Sequence, residues 1–489
     1  MIKVSKGQIL ITVIFVLVNI ALFIGSGAGR DVSDSLHPTF SNASDGQRYW
    51  GVAVNVARGQ GFVIGEDSVT PLARAGPLPA GVFSIPIRIF GLEHSAGWIV
   101  AVQCVLLYLT GIMFGRVGQV FSVNKELVCG LIIFNPNLIS LAHHAQSDLL
   151  FTFVLGGLLV ILVSILANGN VSKKSQIFWL GLFAGLLPLA RPLGFYVLLV
   201  IPVFFVLSSR VSGTRWRMPL RKTIFGFFAV ATIATMIMLP WAYRNYLAFG
   251  QVSLTQSEGV MMQWHYKALK KQVGNPDLMP DLQSYMQKYR VTEDCANDVQ
   301  CRGGLTKAYL LAMIAVPPLE VIKALTFSYS KLFFSGGASQ LGRYLGLEPV
   351  NFTNFLNGDR DLSLEGKRIN SLFFSNARFF LSLVIGGIVF AIIVRALGTV
   401  GVMLSFADRN SRAPSLLFLL IIGVFMGMYL FSSIARFRAP IEPILAVYAA
   451  VGIRFFLSKL GIAKTHQLSK QSALGIDHSQ ARSTGVNDK

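Results

Sequence analysis

Two carboxylates and four arginines stand at the ends of long apolar stretches, where a charge needs a reason. Asp45 opens Asp-Gly-Gln-Arg-Tyr-Trp (45–50), and Asp148 closes Ala-His-His-Ala-Gln-Ser-Asp (142–148). Arg191 lies in Leu-Ala-Arg-Pro, Arg244 in Trp-Ala-Tyr-Arg-Asn, and Arg436 and Arg438 in Ala-Arg-Phe-Arg-Ala-Pro. A positioned carboxylate can take the proton of an approaching hydroxyl. Guanidinium is the side chain suited to bidentate phosphate binding. Together they would suit transfer chemistry beside a lipid-linked phosphate or diphosphate. Plainer roles stay open for each. Asp45 can be an ordinary first-turn residue, Asp148 an N-cap, and any single arginine a snorkelling contact to headgroups.

The stretch around Asp45 reads as a helix. Ser44 can cap it and Gly59 can stop it. Tyr49, Val52 and Val56 then form one apolar stripe, so this helix should be amphipathic and lie on the membrane. Asp45 falls in its first turn, beside the positive end of the helix dipole, a setting that suits a base. His143 and His144 diverge on a helix, and no Cys or carboxylate lies at zinc-ligand spacing, so no metal-ligand set is expected. Cys295 and Cys301 admit a local disulfide or two free thiols. Cys104 and Cys129 sit in apolar spans as packing residues.

The elements that must position these groups follow from composition. The 489 residues are 53% hydrophobic and only 13% charged. A soluble domain carries about 25% charged residues. That excludes a soluble enzyme and a disordered chain, and four cysteines exclude a disulfide scaffold. Crossing the bilayer takes roughly 20 apolar residues. Clear spans lie at 9–24, 97–114, 127–141, 149–167, 178–190, 193–207, 224–239, 379–396, 416–431 and 441–456. The short or Pro-broken segments 78–90 and 316–334 read as interfacial or re-entrant. The expected fold is an all-α polytopic transmembrane helical bundle of about 10–13 membrane helices, with amphipathic helices in the first outer loop.

Lys and Arg favour the cytoplasmic side. With the N-terminus inside, alternation places the basic segments 116–125, 173–174, 210–222 and 408–412 and the tail inside, provided 316–334 does not complete a crossing. The net charge of +20 is then topology and lipid-headgroup contact, and nucleic acid is not an expected partner. Large outer regions remain at 28–95 and 241–317, with a further stretch at 335–377. A disordered cytoplasmic tail is expected at 459–489. The expected location is the plasma (inner) membrane, with the site on its extracytoplasmic face.

Several motifs, in order, resemble one family. They are Asp45-x-x-x-Tyr49, Ala57-Arg58-Gly59-Gln60-Gly61-Phe62, Pro77-x-Pro79, Phe90-Gly91, Gln146-Ser147-Asp148, Arg191-Pro192, Pro240-Trp241-x-x-Arg244-Asn245 and Arg436-x-Arg438-x-Pro440-Ile441-x-Pro443. This series is similar to the GT-C glycosyltransferases, in the bacterial branch of lipid A aminoarabinose transferases and protein O-mannosyltransferases. The likeness spans roughly residues 7–458, and it implies one transmembrane glycosyltransferase domain over 1–458. It departs at Gly46, where many relatives carry a second acid after the first.

The resemblance implies a polyprenyl-phosphate sugar donor, a lipid, glycan or protein acceptor, and inverting displacement on the outer face. Asp45 would be the base and Asp148 the second acid of the cavity. Arg191, Arg244, Arg436 and Arg438 would hold the donor phosphate. Tyr49, Arg58, His144 and Asn245 would complete the cavity. The reading names no required cofactor and leaves room for a divalent metal. The transferred group would be a hexose or pentose. The competing readings are a polyprenyl-linked sugar flippase or transporter and a non-catalytic accessory subunit of the same fold.

Overall fold

The computed structural model describes residues 5–27, 44–64, 70–72, 75–168, 174–210, 220–255, 258–291, 299–345, 347 and 376–461. Within these residues the chain is almost wholly helical. In chain order the helices are α1 (Lys6–Ser26), α2 (Ser44–Ala57), α3 (Pro77–Phe90), α4 (Leu92–Val120), α5 (Lys125–Ile133), α6 (Pro136–Ala142) and α7 (Asp148–Asn168). Then come α8 (Lys174–Ala190), α9 (Gly194–Val197), α10 (Val200–Arg210), α11 (Leu220–Phe249), α12 (Glu258–Val273), α13 (Leu282–Lys288), α14 (Val299–Ile314) and α15 (Pro318–Phe334). The last four are α16 (Ala338–Tyr344), α17 (Asn376–Ala407), α18 (Arg412–Met428) and α19 (Glu442–Lys459). A minimal antiparallel ladder pairs Val63 with Pro71 and Ile64 with Thr70.

Among the described residues, six helices are long and apolar enough to cross a bilayer, two further pairs are bent at a break, and four shorter apolar helices accompany them. The chain is a multi-pass, all-α membrane protein. Several boundaries differ from expectation, each for a local reason. The 127–141 stretch is two helices, α5 and α6, bent by 60°. Asn135 caps α6 by accepting from the amides of Asn137 and Leu138 at 3.0 and 3.3 Å, and Pro136 removes the donor that would have continued α5. The 193–207 stretch is likewise split into α9 and α10. α15 meets α14 at a 104° bend across Pro317-Pro318, the break expected of 316–334. α11 runs through Pro240 to Phe249, so residues 241–249 are its last turns rather than a loop. α4 starts at Leu92, five residues before the expected span at 97.

Packing follows apolar content. The main core joins α4 to α8 with α18 and α19 around residues such as Phe114, Phe151, Leu158, Phe418 and Ile444. A second core carries the first outer region: Tyr49, Trp50, Val52 and Ala53 of α2 pack on Phe83 of α3, on Ile99 of α4 and on Ala145. The stripe of α2 is therefore buried against the protein itself instead of lying on lipid. Fully burying side chains of this size stabilises by roughly 2 kcal/mol each. A third cluster ties α12, α14 and α15 together through Tyr266, Leu269, Tyr309 and Ala324. Cys301 is disulfide-bonded, Cys104 and Cys129 are free thiols, and Cys295 lies outside the described residues. The expected tail also lies outside them from 462 onward.

Candidate active site

Four pieces of chain converge: α2, the first turn of α7, the residue after α8, and a 3₁₀ turn over Ala435–Ile441. The sequence dictates each piece. Pro192 stops α8 from continuing, which leaves Arg191 at its frayed end. Pro440 lies inside the short 3₁₀ turn. With about three residues per turn, Arg436 and Arg438 project in different directions. Asn137 fixes this turn by donating from Nδ2 to the Ala435 carbonyl at 2.9 Å. Tyr429 stacks on Phe437 with centroids 4.3 Å apart.

The charged groups form an alternating chain. Asp148 Oδ1 accepts from Arg191 Nη1, and Asp148 Oδ2 accepts from Arg436 Nε at 2.7 Å. Arg436 Nη2 lies 3.1 Å from Asp45 Oδ2, an ion pair across the site. Arg48 Nη1 approaches Asp45 Oδ1 at 3.7 Å from one turn along α2. Three guanidiniums thus face two carboxylates. The Asp148 side chain is 0% exposed and the Asp45 side chain 29%, so Asp45 alone offers a carboxylate to the outside. Burying Asp148, Arg191 and Arg436 costs several kcal/mol per ion and is offset only by this mutual bonding.

A cavity of about 630 Å³ opens beside the chain of charges. Asp45, Arg48, Tyr49, Arg191 and Tyr429 form its polar wall. Phe195, Tyr196, Val252 and Trp264 form the apolar one, and His265 closes it by bonding the Met428 carbonyl at 3.0 Å. Phe195, Tyr196 and Val252 are exposed at the same time, so the cavity opens along an apolar edge. Burial pushes the Tyr49 phenol up and the Tyr429 phenol up to about 12, against the pull of Arg191 on each. Both hydroxyls stay protonated donors at neutral pH. Burial opposes the charge of Arg191, but Asp148 outweighs it and the guanidinium is raised above its ordinary value.

The other expected residues lie elsewhere. Arg244 donates to the carbonyls of Leu72 and Phe62, both at 2.8 Å, and lies over the Trp241 ring at 4.7 Å. It ties the first outer region to the end of α11 and does not line the cavity. Arg438 bonds Glu442 and the carbonyls of Leu332 and Ser335, facing away from Asp148. Arg58 is exposed at the end of α2, outside the cavity wall. His144 is buried behind Asp148, with Nδ1 donating to the Ser140 carbonyl at 2.7 Å, and burial pushes it down to about 4. Asn245 holds the cavity wall by donating to the Ser253 carbonyl at 2.7 Å, while Trp241 does the same for Leu254 at 3.1 Å.

Sequence reasoning missed Arg48, Tyr429, Trp264 and His265. Arg48 carried a signal, since it sits three residues after Asp45 on one helix face. The others are brought in by tertiary packing. A divalent cation fits this donor set poorly. Both Asp148 oxygens are taken by guanidiniums, and among the described residues no three His, Cys, Asp or Glu side chains converge.

No protein-family profile and no curated protein matches the chain. Among solved structures, the archaeal oligosaccharyltransferase AglB from Archaeoglobus fulgidus, in complex with an inhibitory peptide and a dolichol-phosphate, aligns at 14% identity and a TM-score of 0.49. The alignment covers 97% of this chain and 52% of that one. ArnT from Cupriavidus metallidurans bound to undecaprenyl phosphate aligns at 15% identity and a TM-score of 0.39, covering 92% of this chain and 79% of that one. The chain spans about half the length of the oligosaccharyltransferase it matches.

Proposed function

We propose that the protein is a membrane glycosyltransferase that moves a hexose or pentose from a polyprenyl-phosphate donor to an acceptor hydroxyl on a lipid, glycan or protein. The observation that carries this reading is the exposed Asp45 carboxylate facing the same cavity as the Arg191 guanidinium. The acceptor oxygen attacks the anomeric carbon from the face opposite the phosphate. The new carbon–oxygen bond forms as the old one to the phosphate oxygen breaks, with inversion. Asp45 takes the acceptor proton. Negative charge grows on the departing polyprenyl phosphate, where Arg191 and Arg48 stabilise it.

Asp148 and Arg436 act one layer below. Asp148 holds both buried guanidiniums in place, and Arg436 orients Asp45 by its 3.1 Å contact. The apolar edge at Phe195 and Tyr196 suits the polyprenyl tail. The distribution of Lys and Arg along the chain supports an extracytoplasmic site in the inner membrane.

The test is mass spectrometry of envelope glycolipids, polysaccharides and glycoproteins from cells with the protein, without it, and with Asp45→Asn. Loss of one hexose or pentose in both the second and third samples is the expected result. Full sugar transfer by a folded, inserted Asp45→Asn protein would sink the reading and favour a flippase or an accessory subunit.

A further inference from the structure

A second group of buried charges lies within the membrane-spanning part. Arg395 of α17 donates from Nη2 to Glu442 Oε1 at 2.7 Å, and Arg438 Nε donates to the same oxygen. Asn135 Nδ2 donates to Glu442 Oε2 at 3.0 Å. The remaining Arg438 nitrogens are spent on the carbonyls of Leu332 and Ser335. Glu442 thus accepts from three donors, and each Arg438 side-chain nitrogen has a partner. Arg395 is 8% exposed, and its Nε donor has no partner among the described residues. Among the described residues two guanidiniums share a single carboxylate here, which leaves one positive charge in excess in largely apolar surroundings. A charge held that way is costly until an anion joins it.

Room for that anion lies beside it. A groove of about 540 Å³ runs between α15, α17, α18 and α19 with Arg395 in its wall. The rest of the wall is mostly apolar, with Phe333, Leu419, Ile422 and Leu445 along its length. The Thr399 hydroxyl in the wall donates to the Arg395 carbonyl at 2.9 Å. Among the described residues no carboxylate lines the groove, and it shares no lining residue with the cavity at Asp45. One cation at a largely greasy trough matches an amphiphile with an anionic head.

We propose that this groove binds one membrane lipid with an anionic phosphate headgroup, Arg395 meeting the phosphate and an acyl chain lying along Phe333, Leu419 and Leu445. Charge complementarity selects the headgroup, and the apolar wall selects a lipid over free phosphate. The bound lipid would brace α15 against α17 and α18, the helices that line the groove.

Native mass spectrometry of the full chain, taken from nanodiscs of equal phosphatidylglycerol and phosphatidylethanolamine, tests this. The expected result is one phosphatidylglycerol retained in preference to phosphatidylethanolamine, with no displacement by inorganic phosphate. Arg395→Gln leaves Arg438 and Glu442 matched one to one and should cut retention about tenfold or more, the scale of one charge-assisted bond. Leu419→Trp obstructs the groove without touching a charge and should do the same. Should Arg395→Gln fail to fold, Leu419→Trp decides alone. Equal retention of the two lipids, unchanged retention in a folded variant, or displacement by inorganic phosphate would each overturn the proposal.

Discussion

Arg436 holds Asp45 by its Nη2 at 3.1 Å, joining a helix near the start of the chain to a 3₁₀ turn near its end. The contact points the one exposed carboxylate of the site into the cavity. Asp45 Oδ1 meanwhile faces Arg48, 3.7 Å away and itself in the cavity wall.

Asp45→Asn keeps shape and removes the proposed base. Transfer should fall by about 10² to 10⁴-fold, the contribution of a positioned general base. Thermal unfolding in detergent should move by less than about 1 kcal/mol, because the side chain is not fully buried. Assaying transfer and unfolding on one preparation separates lost chemistry from lost structure.

Asp148→Ala should act in the opposite manner. It strands two buried guanidiniums, so a stability loss of about 3–5 kcal/mol is expected. Arg436→Lys should recover little, since one ammonium cannot bridge Asp148 and Asp45 as the planar fork does. Denaturation midpoints in detergent check both variants.

Arg244→Ala should loosen the first outer region without emptying the phosphate site. Hydrogen exchange of the amides of Phe62, Val63, Ile64, Thr70 and Leu72 should speed up, because their anchor to α11 is gone. Transfer should fall less than about tenfold, whereas Arg191→Ala should lose about 10² to 10³-fold. Equal losses in the two variants would place Arg244 at the phosphate after all.

His143 and His144 predict how stability depends on pH. Burial holds them down to about 3 and about 4 from an ordinary value of 6.5. Between about 4 and 6.5 the unfolded chain therefore binds more protons than the folded one. Stability is fully present above 6.5 and is lost as pH falls toward 4. Unfolding temperature should drop between pH 7 and pH 5, and His144→Gln should flatten that drop. A flat profile in the parent protein would show that neither imidazole is buried in the neutral form.

The apolar spans were legible because hydropathy alone marks a helix that must bury itself in lipid. Breaks at Pro were read less well. Pro136 ends a helix as expected of the residue, yet Pro240 lies inside α11, whose apolar content carries the helix past one missing hydrogen bond. At the site, the types of Asp45, Asp148, Arg191 and Arg436 were legible as chemistry. What sequence cannot show is which carboxylate each guanidinium finds. Arg436 and Arg438 look equivalent in the chain, and a 3₁₀ turn sends one to Asp148 and the other to Glu442. Arg395, isolated within an apolar span, was a signal in plain view.

Because α2 is matched to a segment nearly four hundred residues later, a ribosome delivers Asp45 long before its partner exists. Until residue 436 has emerged and the turn bearing it has docked, α2 carries an acid with Arg48 of its own helix beside it and its long-range partner missing. On the proposed reading, chains lacking residue 436 would be inert toward sugar donors.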